Sequence, residues 1–432
     1  MRTRLFIAIS LVAQAALAQL GLPSLRAPAL PQLPPAPTLN QELPSGAGLL
    51  DPPDLRDLRH LRIRALLASH GALIERDPHG EPIVRGEIVV FSPADAALAA
   101  ASAAGFVVSR ERALEGIDAR IVVLRAPEHV LTARALQNLQ AQDPQGSYDF
   151  NHIYIESGDV AAAEPASAQL PIESAPAAAL RKVGLIDGGI EAAHSAFRAV
   201  ALHTHGCGDK PVPSAHGTAV ASLLVGSTER FRGAAAGAEL YAADVYCGLP
   251  TGGAVDAVAE AFAWLAREAV PVINVSLVGP PNLMLEEVVR RVIAHGQIIV
   301  AAVGNDGPAA PPLYPASYPG VLGVTAVDRH DRVLPEAARG NQVAFAAPGA
   351  DMVAASATQT FAPVRGTSFA APIVAGILAN SRHALSRAAA DEAIENLARA
   401  ATDLGAPGRD PVYGYGLVGE ALRPPATLAS TR

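Results

Sequence analysis

The sequence predicts an α/β fold: a doubly wound parallel sheet with helices on both faces, preceded by a small α+β domain. Two observations lead there. From Arg181 onward, near-continuous Val/Ile/Ala runs alternate with helical patterns, as strands buried on both faces require. Between Gly86 and about Glu156 the apolar period switches repeatedly, in the order β-α-β-β-α-β. Composition agrees, because the 432 residues are 50% apolar and only 17% charged, ample for a sizeable core. The formal net charge of −8, with no basic run beyond Arg181, argues against nucleic acid as a partner. No repeat of about 20 to 50 residues is visible.

The elements justify themselves in order. Met1-Arg2-Thr3-Arg4 carries positive charge ahead of an apolar run from Leu5 to Leu17 and the small-residue ending Ala16-Leu17-Ala18. Residues 1–18 therefore read as a secretory signal peptide, since a membrane anchor needs about 20 apolar residues. Residues 19–85 combine a Pro-rich linker, to about Pro53, with a basic amphipathic helix in which Leu55, Leu58, Leu61, Ile63 and Leu66 alternate with Arg56, Arg59, Arg62 and Arg64. Such a helix either lies on lipid or docks on a neighbouring domain with its arginines in solvent, and the second is the expectation. Residues 86–156 give strands at Glu87 to Phe91, Val107 to Arg110, Ile121 to Leu124 and Asn151 to Ile155, with helices at Pro93 to Ala104 and Val130 to Ala141. This is a ferredoxin-like pattern. Residues 157–180, rich in Ala and Pro, read as an exposed connection open to cleavage. Residues 181–422 then alternate Val183 to Ile186, His216 to Val225, Leu240 to Tyr246, Ala254 to Ala269, Val272 to Leu277, Leu283 to His295, Ile298 to Val303 and Val321 to Val327. Residues 423–432 form a tail.

Four stretches of the larger domain carry chemistry. Asp187 follows an apolar strand in Val183-Gly184-Leu185-Ile186-Asp187-Gly188-Gly189, and His216 opens a helix in His216-Gly217-Thr218-Ala219-Val220-Ala221-Ser222. Asn305 ends a strand in Ala301-Ala302-Val303-Gly304-Asn305-Asp306-Gly307. Ser368, in Gly366-Thr367-Ser368-Phe369-Ala370-Ala371-Pro372, stands between a glycine turn and the start of a helix, where free N–H groups and the helix dipole can hold an oxyanion. Pro372 is expected in the first turn, where a missing N–H costs nothing. Taken singly, each of the four is an ordinary cap or turn residue.

Their order, Asp, His, Asn, Ser, is that of subtilisin, a standard illustration of the triad, and the chain resembles the subtilisin-like serine proteases (subtilases) at all four places. The resemblance extends from about residue 180 to 422, including the ending Tyr413-Gly414-Tyr415-Gly416-Leu417-Val418. It implies a subtilisin-like sheet and a serine-type endopeptidase in which Ser368 is the nucleophile, His216 its base and Asp187 the residue that orients the imidazole. Asn305 and the Ser368 N–H would form the oxyanion hole, where one donor is worth roughly 100 to 1000-fold in rate. The segment Ser276-Leu277-Val278-Gly279-Pro280 resembles the family's substrate-binding Ser-Leu-Gly-Gly-Pro, with Val278 in place of its first glycine, so a pocket for small side chains is expected. A second departure is Gly188, where the family usually carries Ser or Thr; it bears on how Asp187 is positioned. The resemblance also makes residues 86–156 similar to the family's propeptide, which assists folding and then occupies the active site as an intramolecular inhibitor.

Cys207 and Cys247 are the only cysteines, and in an exported chain a disulfide is the natural reading. The alternative is zinc held by both with His203 and His205. The chemistry needs no cofactor, and calcium stays open because no Asp-rich loop has EF-hand spacing. The expected product is a secreted or periplasmic endopeptidase with protein or peptide substrates, made as a self-processing precursor. Its rivals are a catalytically silent subtilase-like scaffold and an esterase using the same triad.

Overall fold

The computed structural model describes residues 52–160, 181–210, 212–229, 231–381 and 385–423. The signal peptide, nearly all of the Pro-rich linker, residues 161–180 of the connection and all but the first residue of the 423–432 tail lie outside the described residues.

The described chain starts with helix α1 (Pro52–His70), strands β1 (Ile74–Arg76) and β2 (Pro82–Phe91), helix α2 (Asp95–Ala103), strands β3 (Val107–Leu114) and β4 (Ala119–Arg125), helix α3 (Thr132–Gln142) and strand β5 (Tyr148–His152). Strand β2 lies at the centre, pairing with β4, β5 and, at its beginning, β1; β3 pairs with β4, and every pairing is antiparallel. The small sheet therefore begins near residue 74, earlier than the apolar periods alone place it. Helix α1 does dock, but not with all its arginines in solvent. Arg59 is 6% exposed, donating to Glu81 and standing 3.6 Å from the Asp306 carboxylate. Ile63 is buried beside it.

Two short strands follow, β6 (Ile155–Glu156) and β7 (Asp159–Val160), before the larger domain. That domain runs through β8 (Lys182–Asp187), β9 (Leu202–His205), α4 (Ala215–Val225), β10 (Glu239–Asp244), α5 (Val255–Arg267), β11 (Val272–Val275), β12 (Leu277–Val278), α6 (Leu283–Ala294), β13 (Ile298–Ala302), β14 (Leu322–Val327), β15 (Val343–Pro348), β16 (Met352–Ala355), β17 (Phe361–Arg365), α7 (Thr367–Ser381) and α8 (Arg387–Ala400). Seven of these strands form one parallel sheet, in the order β15-β14-β13-β11-β8-β10-β9. The fold is subtilisin-like α/β. The expected strand from Val272 to Leu277 breaks at Ser276 into β11, which stays in the sheet, and β12, which leaves it.

Alternation of side chains across each strand divides the core into two. Val183, Leu185, Val300 and Ala302 point toward Val220 and Leu224 of α4 and Phe369 and Val374 of α7. Ile186, Ile299 and Ala301 join Phe262 and Leu265 of α5 and Leu285 and Val288 of α6. The second cluster continues into the small domain through Val89, Leu114, Ile121 and Val123. The small sheet thus covers α5 and α6, and its apolar face completes their burial. Polar groups fix the register of that contact. Asp256 of α5, 1% exposed, receives Arg110 Nε at 2.7 Å and Asn151 Nδ2 at 2.9 Å. Arg110 also bridges to the buried Glu87, Nη2 to Oε2 2.7 Å.

Candidate active site

Asp187 is the last residue of β8, at the carboxyl end of the sheet where such folds place their ligands. It is fully buried, and its Oδ1 lies 2.9 Å from His216 Nδ1. His216 is the second residue of α4, whose N-cap, Ser214, accepts a hydrogen bond from Gly217 N at 2.8 Å. The cap fixes the first turn, and with it the imidazole. His216 Nε2 is buried and has no hydrogen-bond partner among the described residues. Burial alone would lower the His216 pKa, but the Asp187 and Glu156 carboxylates outweigh it and push it up to about 9.

Ser368 is the second residue of α7 and is fully buried. Its Oγ donates to the Ser276 carbonyl at 3.2 Å, and the ring of Phe369, the next residue, lies 5.5 Å from the His216 ring. Gly366 precedes it with φ 135°, a backbone that favours glycine, and a Cβ there would stand 3.0 Å from Asn305 Nδ2. Pro372 is the sixth helical residue, not part of the first turn as the sequence suggested. Lacking an N–H, it leaves the carbonyl four residues earlier free. That carbonyl belongs to Ser368, and the Ser276 hydroxyl donates to it at 2.9 Å. Proline and Ser276 together tie the start of α7 to the strand end at β11.

Asn305 sits just beyond β13. Its Oδ1 accepts from Thr367 N at 3.1 Å, turning its Nδ2 toward the chain that lies over Ser368. That chain is the beginning of the expected connection, and it is not exposed: Ser157 is 4% exposed. Strand β6 pairs antiparallel with β12, Glu156 opposite Leu277 and Ile155 opposite Val278. Strand β7 pairs antiparallel with β17, Asp159 opposite Arg365. Between them, Asn305 Nδ2 donates to Ser157 Oγ at 3.0 Å, and a Cβ built on Gly158 would stand 3.4 Å from Ser368 Cβ. Upstream, Tyr154 is fully buried, its N–H donating to Gly253 O at 2.8 Å and its hydroxyl to Pro280 O at 2.6 Å. A Cβ on Gly279 would meet the Tyr154 ring at 2.7 Å, so this glycine is flattened under an aromatic ring three residues before Ser157.

The residues expected to carry the chemistry thus lie on one cleft: Asp187, His216, Asn305 and Ser368 around its centre, and Ser276, Leu277, Val278 and Gly279 along one wall. Sequence reasoning missed Tyr154, Glu156, Ser157 and Ser214, which meet them there. A model of the subtilase family, Peptidase_S8, matches residues 181–416.

The chain belongs to the subtilase family.

It is a serine-type endopeptidase. Subtilisin DY of Bacillus licheniformis is 31% identical over 245 residues, 55% of this chain and 88% of that one. A minor extracellular protease of Bacillus subtilis (strain 168) is 29% identical, with 47% of this chain and 32% of that one covered. Among solved structures, fervidolysin from Fervidobacterium pennivorans, a keratinolytic enzyme, superposes with a TM-score of 0.64 at 21% identity, over 82% of this chain and 62% of that one. An epidermin leader peptide processing serine protease from Staphylococcus aureus gives 0.57 at 15% identity, over 78% and 99%. At such identities the two structures speak for the fold alone.

In this subtilase Cys207 and Cys247 are joined as a disulfide, with Cα atoms 5.2 Å apart. The zinc alternative has no thiolates left. His203 instead stacks on Tyr241, and His205 on Trp264. Among the described residues two compact groups could hold a metal ion, Cys207 with Asp244 and Cys247, and Glu156 with Asp187 and His216. Neither cluster offers the roughly six to eight oxygens that calcium takes.

Proposed function

We propose that this subtilase is an exported endopeptidase, made as a precursor, in which Asp187, His216 and Ser368 hydrolyse peptide bonds through an acyl-enzyme. The observation that carries the reading is the chain's own segment, laid antiparallel on Leu277–Val278 and passing over Ser368 beside a 2.9 Å Asp187–His216 hydrogen bond. A peptide backbone held this way presents its carbonyl to the nucleophile. His216 Nε2, turned away from Asp187, takes the Ser368 proton as Oγ attacks and returns it to the departing amine. Asp187 holds the imidazole in the tautomer that leaves Nε2 able to accept. The Asn305 amide and the Ser368 N–H receive the oxyanion once the Ser157 hydroxyl gives up Asn305. No cofactor takes part.

The small domain, residues 86–156, acts on this reading as an intramolecular inhibitor, and self-cleavage between about Glu156 and Arg181 releases the mature enzyme. Protein and peptide chains are its substrates. Fluorophosphonate labelling of purified wild type beside Ser368→Ala tests the triad: label on the wild type and none on the variant is expected. An unlabelled wild-type protein, after processing, would instead describe a silent scaffold. Mass spectrometry then reads the amino terminus, and one that stays upstream of Glu156 in an active enzyme would make the small domain a permanent module.

A further inference from the structure

The two strand pairings on either side of Ser368 fix which bond lies over it. Continuing β6 on β12 by one residue sets Ser157 opposite Ser276, and continuing β7 on β17 by one residue sets Gly158 opposite Gly366. Ser276 exchanges hydrogen bonds with Ser368, Gly366 stands two residues before it, and a Cβ on Gly158 would lie 3.4 Å from Ser368 Cβ, so the Ser157–Gly158 bond faces the nucleophile. The residue just before Ser157 is Glu156. Its side chain turns inward, not to solvent: one carboxylate oxygen lies within 4.8 Å of both an Asp187 oxygen and a His216 nitrogen. The space it enters exists because residue 188 has no side chain. A Cβ there would stand 3.2 Å from Glu156 Oε1 and 2.4 Å from Ser214 Oγ. This is one of the two positions at which the sequence departs from the pattern it resembles, and a glutamate stands against it.

Resting on the endopeptidase reading above, we propose that the cleft selects an acidic residue immediately before the residue whose carbonyl is attacked, that Gly188 opens the subsite for it, and that the chain's own Ser157–Gly158 is the first bond cut. Burial pushes the Glu156 carboxyl up from its ordinary value, and the groups that face it divide between those that favour the carboxylate and one that opposes it. From α4 come the His216 imidazole and the Ser214 hydroxyl, from α1 the Arg62 charge, and from β8 the opposing Asp187. Tyr246, just beyond β10, is the further ionisable group beside it. The imidazole attracts the carboxylate as the peptide binds, so the preference is one of binding. In the cut itself, Ser368 Oγ bonds to the Ser157 carbonyl carbon and its proton passes through His216 to the Gly158 nitrogen as the C–N bond breaks. Water then hydrolyses the ester, leaving a Ser157 carboxylate and a Gly158 amine.

The test uses the processed full-chain protein and the peptide Tyr-Ile-Glu-Ser-Gly-Asp-Val, with Glu replaced in turn by Gln, Ala and Lys. Expected is cleavage between Ser and Gly, with kcat/KM about tenfold lower for Gln and Ala, the scale of one charge-assisted hydrogen bond, and lower still for Lys. The difference should lie in KM, and Gly188→Ala should bring the Glu and Ala peptides together. Should Gly188→Ala fail to fold, Ser214→Ala takes its place and should narrow the same ratio. Equal kcat/KM for Glu and Lys, or a cut elsewhere in the peptide, would overturn the proposal while fluorophosphonate labelling left the endopeptidase reading intact. A wild-type protein that neither labels nor cuts any peptide would remove that reading and this one with it.

Discussion

At the scale of single residues, the charge balance at His216 sets how the precursor responds to pH. A base must be neutral to accept a proton, and Glu156 and Asp187 hold the imidazole protonated up to about 9. Raising the pH through that value should therefore speed self-cleavage. In the precursor the segment is already held on the cleft, so a weaker binding preference does not slow self-cleavage; removing one negative charge favours the neutral imidazole, so Glu156→Gln should move the midpoint down toward the ordinary 6.5 and speed processing at neutral pH. Gel analysis of self-cleavage against pH checks this, and a midpoint unchanged in the variant would show that Glu156 does not govern His216. Ser368→Ala and His216→Ala should each lower hydrolysis by orders of magnitude and together no more than either alone, since they act on one proton. Val278→Gly should admit larger side chains before the scissile bond, a peptide-library profile being the measurement, with each methylene counting for about 1 to 3 kcal/mol. Asp187, His216, Asn305 and Ser368 were legible as candidates because they sit in local patterns that need no knowledge of the fold. Glu156 was not, because its partners, Gly188, Ser214 and His216, are brought to it only when the strand pairing with Leu277–Val278 forms.

Among elements, helix α5 shows how the small domain is held. Asp256, at its first turn, is satisfied by Arg110, Arg112 and Asn151, all from the small domain. Asp256→Ala would remove one acceptor from each donor while Arg110 and Asn151 keep Glu87 and Arg112 keeps Glu260, at a cost of about 1 kcal/mol in the precursor. In the processed enzyme, freed of the small domain, the same substitution should cost little. Thermal unfolding of Asp256→Ala in the unprocessed Ser368→Ala background, compared with the processed form, makes the comparison; equal losses would mean that α5 relies on Asp256 for itself. The loop between β9 and α4 is pinned differently, by Cys207–Cys247 across 40 residues. Chain entropy assigns such a closure roughly 3 to 4 kcal/mol. Reduction should therefore lower thermal stability and loosen the approach to His216. Two free thiols in the exported, denatured protein would remove the bridge.

Across the whole molecule, the buried cluster that joins Val89, Leu114 and Val123 to Phe262, Leu265 and Val288 makes the two domains share a core. The Ser368→Ala precursor should accordingly unfold in one calorimetric transition, above that of the processed enzyme. Two separate transitions would contradict the shared core. The alternation of apolar runs told of both domains but not of this junction, since a strand buried by a second domain reads like one buried by its own. Strands β9, β15, β16 and β17 escaped notice for a related reason: short segments such as Leu202–His205 and Phe361–Arg365 carry too few residues for a period to emerge. The paired segments β6 and β7 have one more consequence. If the small domain is the inhibitor proposed above, it is tethered while the chain is whole, and its effective concentration at the cleft is independent of how dilute the protein is. Once Ser157–Gly158 is broken, the upstream piece is held by ordinary two-body binding, and leaving becomes a matter of dilution. Secretion into a large volume would then itself be the switch, each freed enzyme shortening the wait for its neighbours by degrading the piece they have just let go.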